Sequence, residues 1–146
     1  MKALLQRVSR ASVAVGGELV GEVGAGLLVL LGLDQGDDQP AADRMLDRIL
    51  AYRMFADGDG RMNLSVADIN GGVLLVSQFT LSADTGKGLR PGFSRALAPA
   101  QAEVLYAYML QGLRRRHAPV AAGVFGADMQ VSLTNDGPVT FLLESG

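Results

Sequence analysis

The sequence predicts a mixed α/β fold of one compact domain, residues 1–146. Runs of β-branched and apolar residues surround two segments of helical periodicity, in the order strands, helix, strand, helix, strands. This order differs from the strict alternation of strand and helix in a doubly wound fold. The 49% of hydrophobic and 19% of charged residues are ordinary for a chain that folds around one core.

The first part of the chain predicts three strands and one tight turn. The segment "ALLQRVSRASVAV", residues 3–15, is rich in Val and partly alternates between apolar and polar residues. Gly16-Gly17 separates it from a second strand-like run, which is the signal of a two-residue hairpin. The segment "GAGLLVLLGL", residues 24–33, is short, apolar and bounded by glycines, and it therefore predicts a strand buried on both faces.

Helical periodicity begins at Asp38 and predicts an amphipathic helix that ends near Phe55. Asp37 or Asp38 would be its N-cap, and Pro40 is tolerated in the first turn. The positions at helical spacing are Ala42, Met45, Leu46, Ile49, Leu50 and Arg53. The sequence "DGDG", residues 57–60, predicts the turn that follows.

The run Val73–Leu81, "VLLVSQFTL", predicts a central strand whose second half turns polar at Ser77, Gln78 and Thr80. Polar residues at the end of a buried strand are where open sheets commonly place chemistry. The Gly- and Pro-rich residues 82–96 predict a long loop, which in a compact domain is more often functional than idle.

A second helix is predicted to begin at Pro99 and to end at the basic run Arg114 to His117, before Pro119. Its predicted apolar face consists of Val104, Leu105, Tyr108, Met109 and Leu113. The final segment, "MQVSLTNDGPVTFLLES", predicts a closing β-hairpin with Asn135-Asp136-Gly137 at its tip.

Several classes of site are excluded by the residue types. The chain has no cysteine, and therefore no disulfide, thiolate nucleophile or thiolate metal site. Its one histidine, His117, is expected at a helix C-terminus, where it and its arginine neighbours complement the helix dipole as a solvated cluster. The segments "DGDGRMN", "GEVGAGLL" and "GFSRA" each lack residues that a calcium loop, a dinucleotide fingerprint and a nucleophile elbow need. We therefore predict no metal and no cofactor.

Charge and hydropathy limit the partners. The net charge of −2 argues against a protein that grips long nucleic acids such as DNA, but a contact with one nucleic-acid end stays open. The longest apolar run, residues 27–33, is too short to span a bilayer, and the start lacks a signal-peptide stretch. We expect a cytoplasmic protein without a membrane partner. Lys87, Arg90 and Arg95 in the long loop are either solvated charges or a local phosphate contact.

Two polar segments remain as candidates for chemistry, "SQFT" at residues 77–80 and "NDGPVT" at residues 135–140. The hydroxyl groups of the first segment either satisfy neighbouring backbone groups or take part in a reaction. A threonine hydroxyl with no base beside it is a poor nucleophile, because it is almost wholly protonated at neutral pH. If the protein is an enzyme, its catalysis should rest on placed backbone donors and on substrate positioning.

Both segments resemble the paired signature motifs of the D-aminoacyl-tRNA deacylase family. The segments that resemble this family, in order, are "LLQRVSRASV", "GAGLLVLLGL", "MNLSV", "VLLVSQFTLSADT", "RPGFSRA", "LYAYM" and "FGADMQVSLTNDGPVTF". The resemblance covers essentially the whole chain, without departure at the motif positions. It implies hydrolysis of the ester that joins a D-amino acid to the terminal ribose of tRNA, and also removal of glycine from mischarged tRNA.

The resemblance further implies layers of sheet and helix, a homodimer, and an active site at each end of the subunit interface. Its catalytic part would be Ser77, Gln78, Phe79 and Thr80 of one subunit, with Gly137-Pro138 reaching across from the other. In the family the Gly-Pro bond is cis. Both of its carbonyls then point to one side, where they bind an α-amino group and occupy the space of an L side chain.

Four more residues are assigned to the substrate site by the resemblance: Asn135, Arg7, Phe125 and Met129. Arg7 resembles the arginine that holds the Gly-Pro segment in place, and Phe125 and Met129 would line the pocket. Taken without the resemblance, Arg7 is an arginine at a strand end paired with some carboxylate. Phe125 and Met129, at strand spacing, are then core residues.

Two mechanisms compete. In the first, Thr80 attacks the ester as a covalent nucleophile, but the sequence offers no evident base for it. In the second, the amides around Phe79 and Thr80 form an oxyanion hole, and the 2′-hydroxyl of the terminal ribose activates or positions water. We favour the second, since it needs only parts that the sequence supplies. Two other functions stay open: hydrolysis of free D-amino-acid esters or peptides without RNA, and a non-catalytic dimeric binding module.

Overall fold

The computed structural model describes residues 1–145, so the last residue of the predicted domain, 1–146, lies outside the described residues. The two helices of this part are α1, Gln39–Ala51, and α2, Pro99–Arg116. The strands are β1 Lys2–Val15, β2 Glu18–Val23, β3 Gly26–Gly32, β4 Phe55–Ala56, β5 Met62–Leu64, β6 Gly72–Ser77, β7 Val120–Ala122 and β8 Gln130–Glu144. A short 3₁₀ helix, Phe79–Ser82, follows β6 directly and is called the 3₁₀ turn below.

One mixed sheet contains most of the strands. Its order is β2-β1-β3-β6-β7, and β8 pairs with β1. The pairs β3–β6 and β6–β7 are parallel, whereas β1 is antiparallel to β2, β3 and β8. The sheet curls so far that β2 lies close to β7. A Cβ built on Gly21 of β2 would lie only 2.7 Å from the Ala122 carbonyl oxygen of β7. The predicted mixed α/β fold with two main helices is therefore confirmed.

The hairpin at Gly16-Gly17 forms as predicted. Both glycines have positive φ, 58° and 82°, which matches the tight hairpin turns that glycine favours. The predicted burial of β3 on both faces is also confirmed. Leu27 and Leu31 belong to the main core with both helices, and Leu28 belongs to a second cluster with strands β1 and β6.

Helix α1 is capped as the sequence predicts. The Asp38 carboxylate accepts a hydrogen bond from the Ala41 amide at 2.9 Å, and Pro40 lies in the first turn. The helix ends at Ala51, however, and does not continue to Phe55. Phe55 is buried instead through the β4–β5 pairing, opposite Leu64, so its apolar character serves a short hairpin and not the helix.

We expect Asp38→Ala to lower the free energy of unfolding by about 1 kcal/mol, because one amide of the first turn loses its acceptor. Urea unfolding followed by circular dichroism measures this change. Asp128→Ala is a matched control, because Asp128 is an exposed aspartate outside the helices. Equal midpoints for the two variants would contradict the capping role.

Helix α2 has the predicted extent but a rotated buried face. Val104 is 69% exposed, and Tyr108 is half-buried with its hydroxyl donating to the Asp43 carboxylate on α1. The buried residues are Ala102, Leu105, Tyr106, Met109, Gly112 and Leu113. Gly112 allows α2 to pack closely on α1, since a Cβ at this position would lie 2.9 Å from Leu46 Cδ1.

The predicted strand Val73–Leu81 is shorter than expected. Strand β6 ends at Ser77, and the following residues form the 3₁₀ turn. The polar half of the predicted strand is therefore a turn at the strand end, which exposes its side chains.

The predicted closing hairpin is wrong. Residues 130–144 form one strand, β8, which pairs with β1 along its whole length. The turn residues Asn135-Asp136-Gly137 lie at an irregularity within this strand, because Val8 pairs with Asn135 and Gln6 pairs with Thr140. Four residues of β8 thus lie opposite one residue of β1, which is a large β-bulge.

No helix within residues 1–145 is long and apolar enough to cross a membrane.

Candidate active site

The 3₁₀ turn is fixed against the end of β3. The Gln78 amide donates to the Leu31 carbonyl at 2.7 Å, and the buried Ser82 hydroxyl donates to the Leu33 carbonyl at 3.2 Å. Gly32 makes this close approach possible, since a Cβ at that position would lie 2.8 Å from Leu81 Cβ. The strand ends of β3 and β6 therefore determine where the turn presents its backbone.

The turn leaves two backbone donors free. The amides of Phe79 and Thr80 begin the 3₁₀ turn, where a helix has no internal acceptors for its first N–H groups. Neither amide donates a hydrogen bond to any acceptor within the described residues 1–145. Both residues are exposed at the end of β6, so the donors can meet a ligand.

The side chains of the turn have defined partners. The Gln78 side-chain amide donates to the Thr80 hydroxyl. An amide N–H cannot accept the hydroxyl proton, so this contact orients Thr80 without activating it as a nucleophile. Phe79 is 64% exposed and packs against Phe93 of the long loop, with ring centroids 5.1 Å apart.

Phe125 and Met129 lie beside the same strand end. Both are half-buried, and both lie in turns or irregular backbone and not at the predicted strand spacing. Met129 packs so closely on Gly123 that a Cβ on Gly123 would lie 2.6 Å from its sulfur. Phe125 packs against Tyr106 of α2, with ring centroids 5.8 Å apart.

Tyr106 is a supporting residue that the sequence reasoning missed. Its hydroxyl donates to the Leu75 carbonyl of β6 at 3.0 Å, two residues before Ser77. Burial raises the pKa of Tyr106 to about 12, so the hydroxyl stays protonated and keeps donating at neutral pH. The helical spacing of Ala102, Tyr106 and Met109 was the signal that would have placed it on the buried face.

The Gly-Pro segment is the outer part of the β8 bulge. Gly137 and Pro138 are exposed, and the peptide bond between them is cis. The Asn135 side chain closes the base of the bulge, since its oxygen accepts from the Val139 amide at 2.8 Å and its nitrogen donates to the Thr140 hydroxyl at 2.8 Å. Asn135 therefore shapes the segment through hydrogen bonds on both sides of it.

Arg7 of β1 holds the bulge from the opposite side. Its Nε donates to the Asp136 carbonyl at 2.9 Å and lies 3.7 Å from the Asp136 carboxylate. The Nη1 group of Arg7 donates to the Met54 carbonyl at 3.1 Å. Arg7 is thus tied to two separate segments, and both open interpretations of it meet here, since it pairs with a carboxylate and also contacts the Gly-Pro segment.

The two candidate segments lie far apart within one chain. Ser77 pairs with Leu31 of β3, whereas Arg7, opposite the bulge, pairs with Leu27 of β3. That difference of four residues corresponds to roughly 13 Å along the strands, and the three strand spacings from β8 to β6 add roughly 14 Å across them. Measured along the sheet, each of these offsets is larger than one aminoacyl group.

His117 is more buried than the prediction of a solvated cluster implies. Its Nε2 lies 2.6 Å from the Gly71 carbonyl oxygen, and the residue is half-buried at the C-cap of α2. Arg116 beside it pairs with Asp43 and Asp47 of α1. Within the described residues 1–145, no group of three or more acidic, His or Cys side chains is placed to hold a metal ion.

Comparison with known families decides the relationship. Residues 4–144 match the family described as D-Tyr-tRNA(Tyr) deacylase. The chain belongs to this deacylase family. A D-aminoacyl-tRNA deacylase of Cellvibrio japonicus (strain Ueda107) is 59% identical over 144 residues, with 99% of each chain covered. One of Escherichia coli O81 (strain ED1a) is 56% identical over 144 residues, again with 99% of each chain covered. The predicted family and the predicted hydrolase class are therefore confirmed.

Solved structures agree with the deacylase fold. One named c-Myc DNA Unwinding Element Binding Protein superposes with a TM-score of 0.96 at 46% identity, and the match covers 100% of this chain and 99% of that one. Another, described as a probable eukaryotic D-amino acid tRNA deacylase, has a TM-score of 0.84 at 16% identity, with 97% of each chain covered. At that identity the second structure shows the shared fold alone.

Proposed function

We propose that this deacylase hydrolyses the ester bond between a D-amino acid and the terminal ribose of tRNA, and releases both products. The observation that carries the proposal is the exposed 3₁₀ turn, with the free amides of Phe79 and Thr80, in a chain of this family. Two adjacent unpaired N–H groups suit the negative charge that develops on a carbonyl oxygen during ester hydrolysis. Glycine on mischarged tRNA belongs to the same substrate class.

The mechanism that fits the turn uses water as the nucleophile. The amides of Phe79 and Thr80 bind the oxyanion, and the 2′-hydroxyl of the terminal ribose positions or activates the attacking water. A covalent role for Thr80 is less well supported, because its hydroxyl accepts a hydrogen bond from the Gln78 side-chain amide, which is a donor and not a base. Ser77 and Gln78 hold the turn in this geometry.

Chirality would be read by the Gly137-Pro138 segment of a second subunit. Both this segment and the turn at Phe79 and Thr80 are exposed, yet the pairing register keeps them apart within one chain. A homodimer that brings the two together supports a complete site at each end of its interface. The carbonyls of Gly137 and Pro138 then bind the α-amino group and exclude an L side chain, but they cannot exclude glycine.

The remaining predicted residues support this pocket. Arg7 and Asn135 fix the shape of the Gly-Pro segment through the bonds described above. Phe125 and Met129, packed beside the end of β6, form an apolar wall that accepts varied side chains. The cytoplasmic location expected from the sequence belongs to the same proposal, because charged tRNA is made and used there.

One assay tests the proposal against its two alternatives. The protein is incubated with matched D- and L-aminoacyl-tRNA and with a free D-amino-acid ester. Selective release from the D-charged tRNA is expected. Turnover of the free ester with no preference for tRNA would indicate an esterase that ignores RNA, and no turnover of any substrate would indicate a binding module.

The choice of nucleophile gives a second expected result. Thr80→Ala should reduce deacylation by less than about tenfold, because a positioning hydroxyl contributes less than a covalent nucleophile. A D-aminoacyl-tRNA whose terminal ribose lacks the 2′-hydroxyl should be hydrolysed more than about tenfold more slowly, since water loses its positioning group. Single-turnover rates measure both. Full loss with Thr80→Ala and no effect of the deoxy substrate would establish the covalent route instead.

A further inference from the structure

Residues 83–97, called the basic loop here, form an anchored projection next to the 3₁₀ turn. Asp84 and Gly92 exchange two backbone hydrogen bonds, of 2.7 and 3.0 Å, which close the base of the tip at residues 85–91. Farther along, the Gln35 amide donates to the Arg95 carbonyl at 2.8 Å. The loop is therefore held at its base, while its tip stands free of the core.

Positive charge is concentrated on this loop. It carries Lys87, Arg90 and Arg95 against one acidic residue, Asp84, whereas the whole chain has a net charge of −2. All three cations are exposed. Arg95 lies 4.0 Å from Asp84, and within residues 1–145 neither Lys87 nor Arg90 has a carboxylate partner. These charges are thus available to an anionic ligand.

Exposed apolar groups accompany the cations. Leu89 at the tip is fully exposed. Phe93 packs on Phe79, and both rings nevertheless remain partly open to solvent. Phe79 in turn precedes Thr80 in the 3₁₀ turn. Cations beside aromatic rings are the combination that binds single-stranded RNA, because phosphates need positive charge and unstacked bases need flat apolar surfaces.

We propose that the basic loop and the Phe79–Phe93 pair bind the single-stranded 3′ end of tRNA. Lys87, Arg90 and Arg95 contact its phosphates, and the aromatic pair stacks on a base next to the ester. This inference rests on the proposed function, since it places the RNA beside the turn that would perform the hydrolysis. It also explains how an acidic protein can hold tRNA, because the contact is confined to one end of the nucleic acid.

Binding of uncharged tRNA(Tyr) tests the inference without requiring catalysis. The double variant Lys87→Ala/Arg90→Ala should raise Kd by roughly tenfold at low salt and reduce the slope of log Kd against log salt by about 2, one for each lost phosphate contact. Phe93→Ala should weaken binding by about tenfold through lost stacking. Wild-type protein should also bind tRNA without its unpaired 3′ nucleotides more weakly than intact tRNA.

A matched control is Arg114→Ala/Arg115→Ala, which removes two exposed cations at the other end of α2, roughly 24 Å from its start. Its Kd and salt slope should stay at wild-type values. On D-aminoacyl-tRNA, the loop variant should raise KM and leave kcat unchanged.

The inference is overturned if the loop variant and the control weaken binding equally, or if truncated tRNA binds as well as intact tRNA. It is also overturned if the loop variant changes the mass of the particle in sedimentation, since the loop would then be a subunit contact. Failure of wild-type protein to release any amino acid from charged tRNA would refute the proposed function instead.

Discussion

Gly137→Ala is expected to remove most deacylation and to leave the fold intact. Gly137 has a φ of 144°, and a Cβ at this position would lie 2.6 Å from Val139 Cγ2 and 2.9 Å from the Val139 amide nitrogen. The same Cβ would lie 3.2 Å from the Arg7 guanidinium. The bulge must shift to relieve these contacts, and a displacement of about 1 Å at a positioning group costs roughly 10²-fold in rate.

The measurement is kcat/KM for D- and L-aminoacyl-tRNA, together with thermal unfolding. Gly60→Ala is the matched control, because Gly60 also has a positive φ, 78°, but a Cβ there would meet no atom within 4 Å. Gly60→Ala should lose only the stability that a side chain at positive φ costs, whereas Gly137→Ala should lose more because of its close contacts, and only Gly137→Ala should lose activity. Selectivity between D and L substrates should fall together with activity. Unchanged kinetics in Gly137→Ala would exclude the segment from the site.

Features set by neighbouring residues were predictable from the sequence. The Gly16-Gly17 hairpin, the Asp38 cap and the buried β3 strand each depend on a few adjacent residues and a local apolar pattern. The predictions that failed concern contacts between residues far apart in the sequence. Turn residues at positions 135–137 predicted a hairpin, but β8 pairs with β1, more than a hundred residues away, and the turn chemistry serves a bulge within one strand.

In the candidate site, too, local features could be predicted from the sequence and nonlocal contacts could not. The polar end of the Val73–Leu81 run predicted chemistry at residues 77–80, yet periodicity could not show that residues 79–82 leave the strand and form a turn with free amides. Tyr106 escaped notice because its role depends on the Leu75 carbonyl of another element. Contacts between elements distant in sequence, and not residue types, determine these details.

Gly32→Ala is the second change with a large expected effect. Gly32 does not have a positive φ, so an alanine causes no backbone strain there and acts only through steric contacts. The new Cβ would lie 2.8 Å from Leu81 Cβ, 3.1 Å from Ser82 Oγ and 3.3 Å from the Gln78 carbonyl oxygen. Overpacking of this kind typically costs 1–3 kcal/mol of stability. The 3₁₀ turn would move with its two amides, and kcat should fall by roughly 10²-fold because the oxyanion donors lose their positions.

Denaturant unfolding and single-turnover rates separate the two effects. Gly24→Ala is the control, since a Cβ there would meet no atom within 4 Å. It should change neither quantity. A Gly32→Ala variant that loses stability but keeps its rate would show that the amides of Phe79 and Thr80 do not take part in the reaction.

Mixing the two inactive variants tests whether the site is shared between subunits. In a hybrid dimer, the Gly137→Ala subunit supplies an intact 3₁₀ turn and the Gly32→Ala subunit supplies an intact Gly-Pro segment, so one of the two sites is wholly unaltered. Random reassociation after joint refolding makes half of the dimers hybrid, and activity should therefore return to roughly a quarter of the wild-type value. If each site lay within a single subunit, every site in the mixture would carry one substitution, and activity would stay at the level of the separate variants. Recovery on mixing would thus demonstrate both the dimer and the cross-subunit position of Gly137-Pro138.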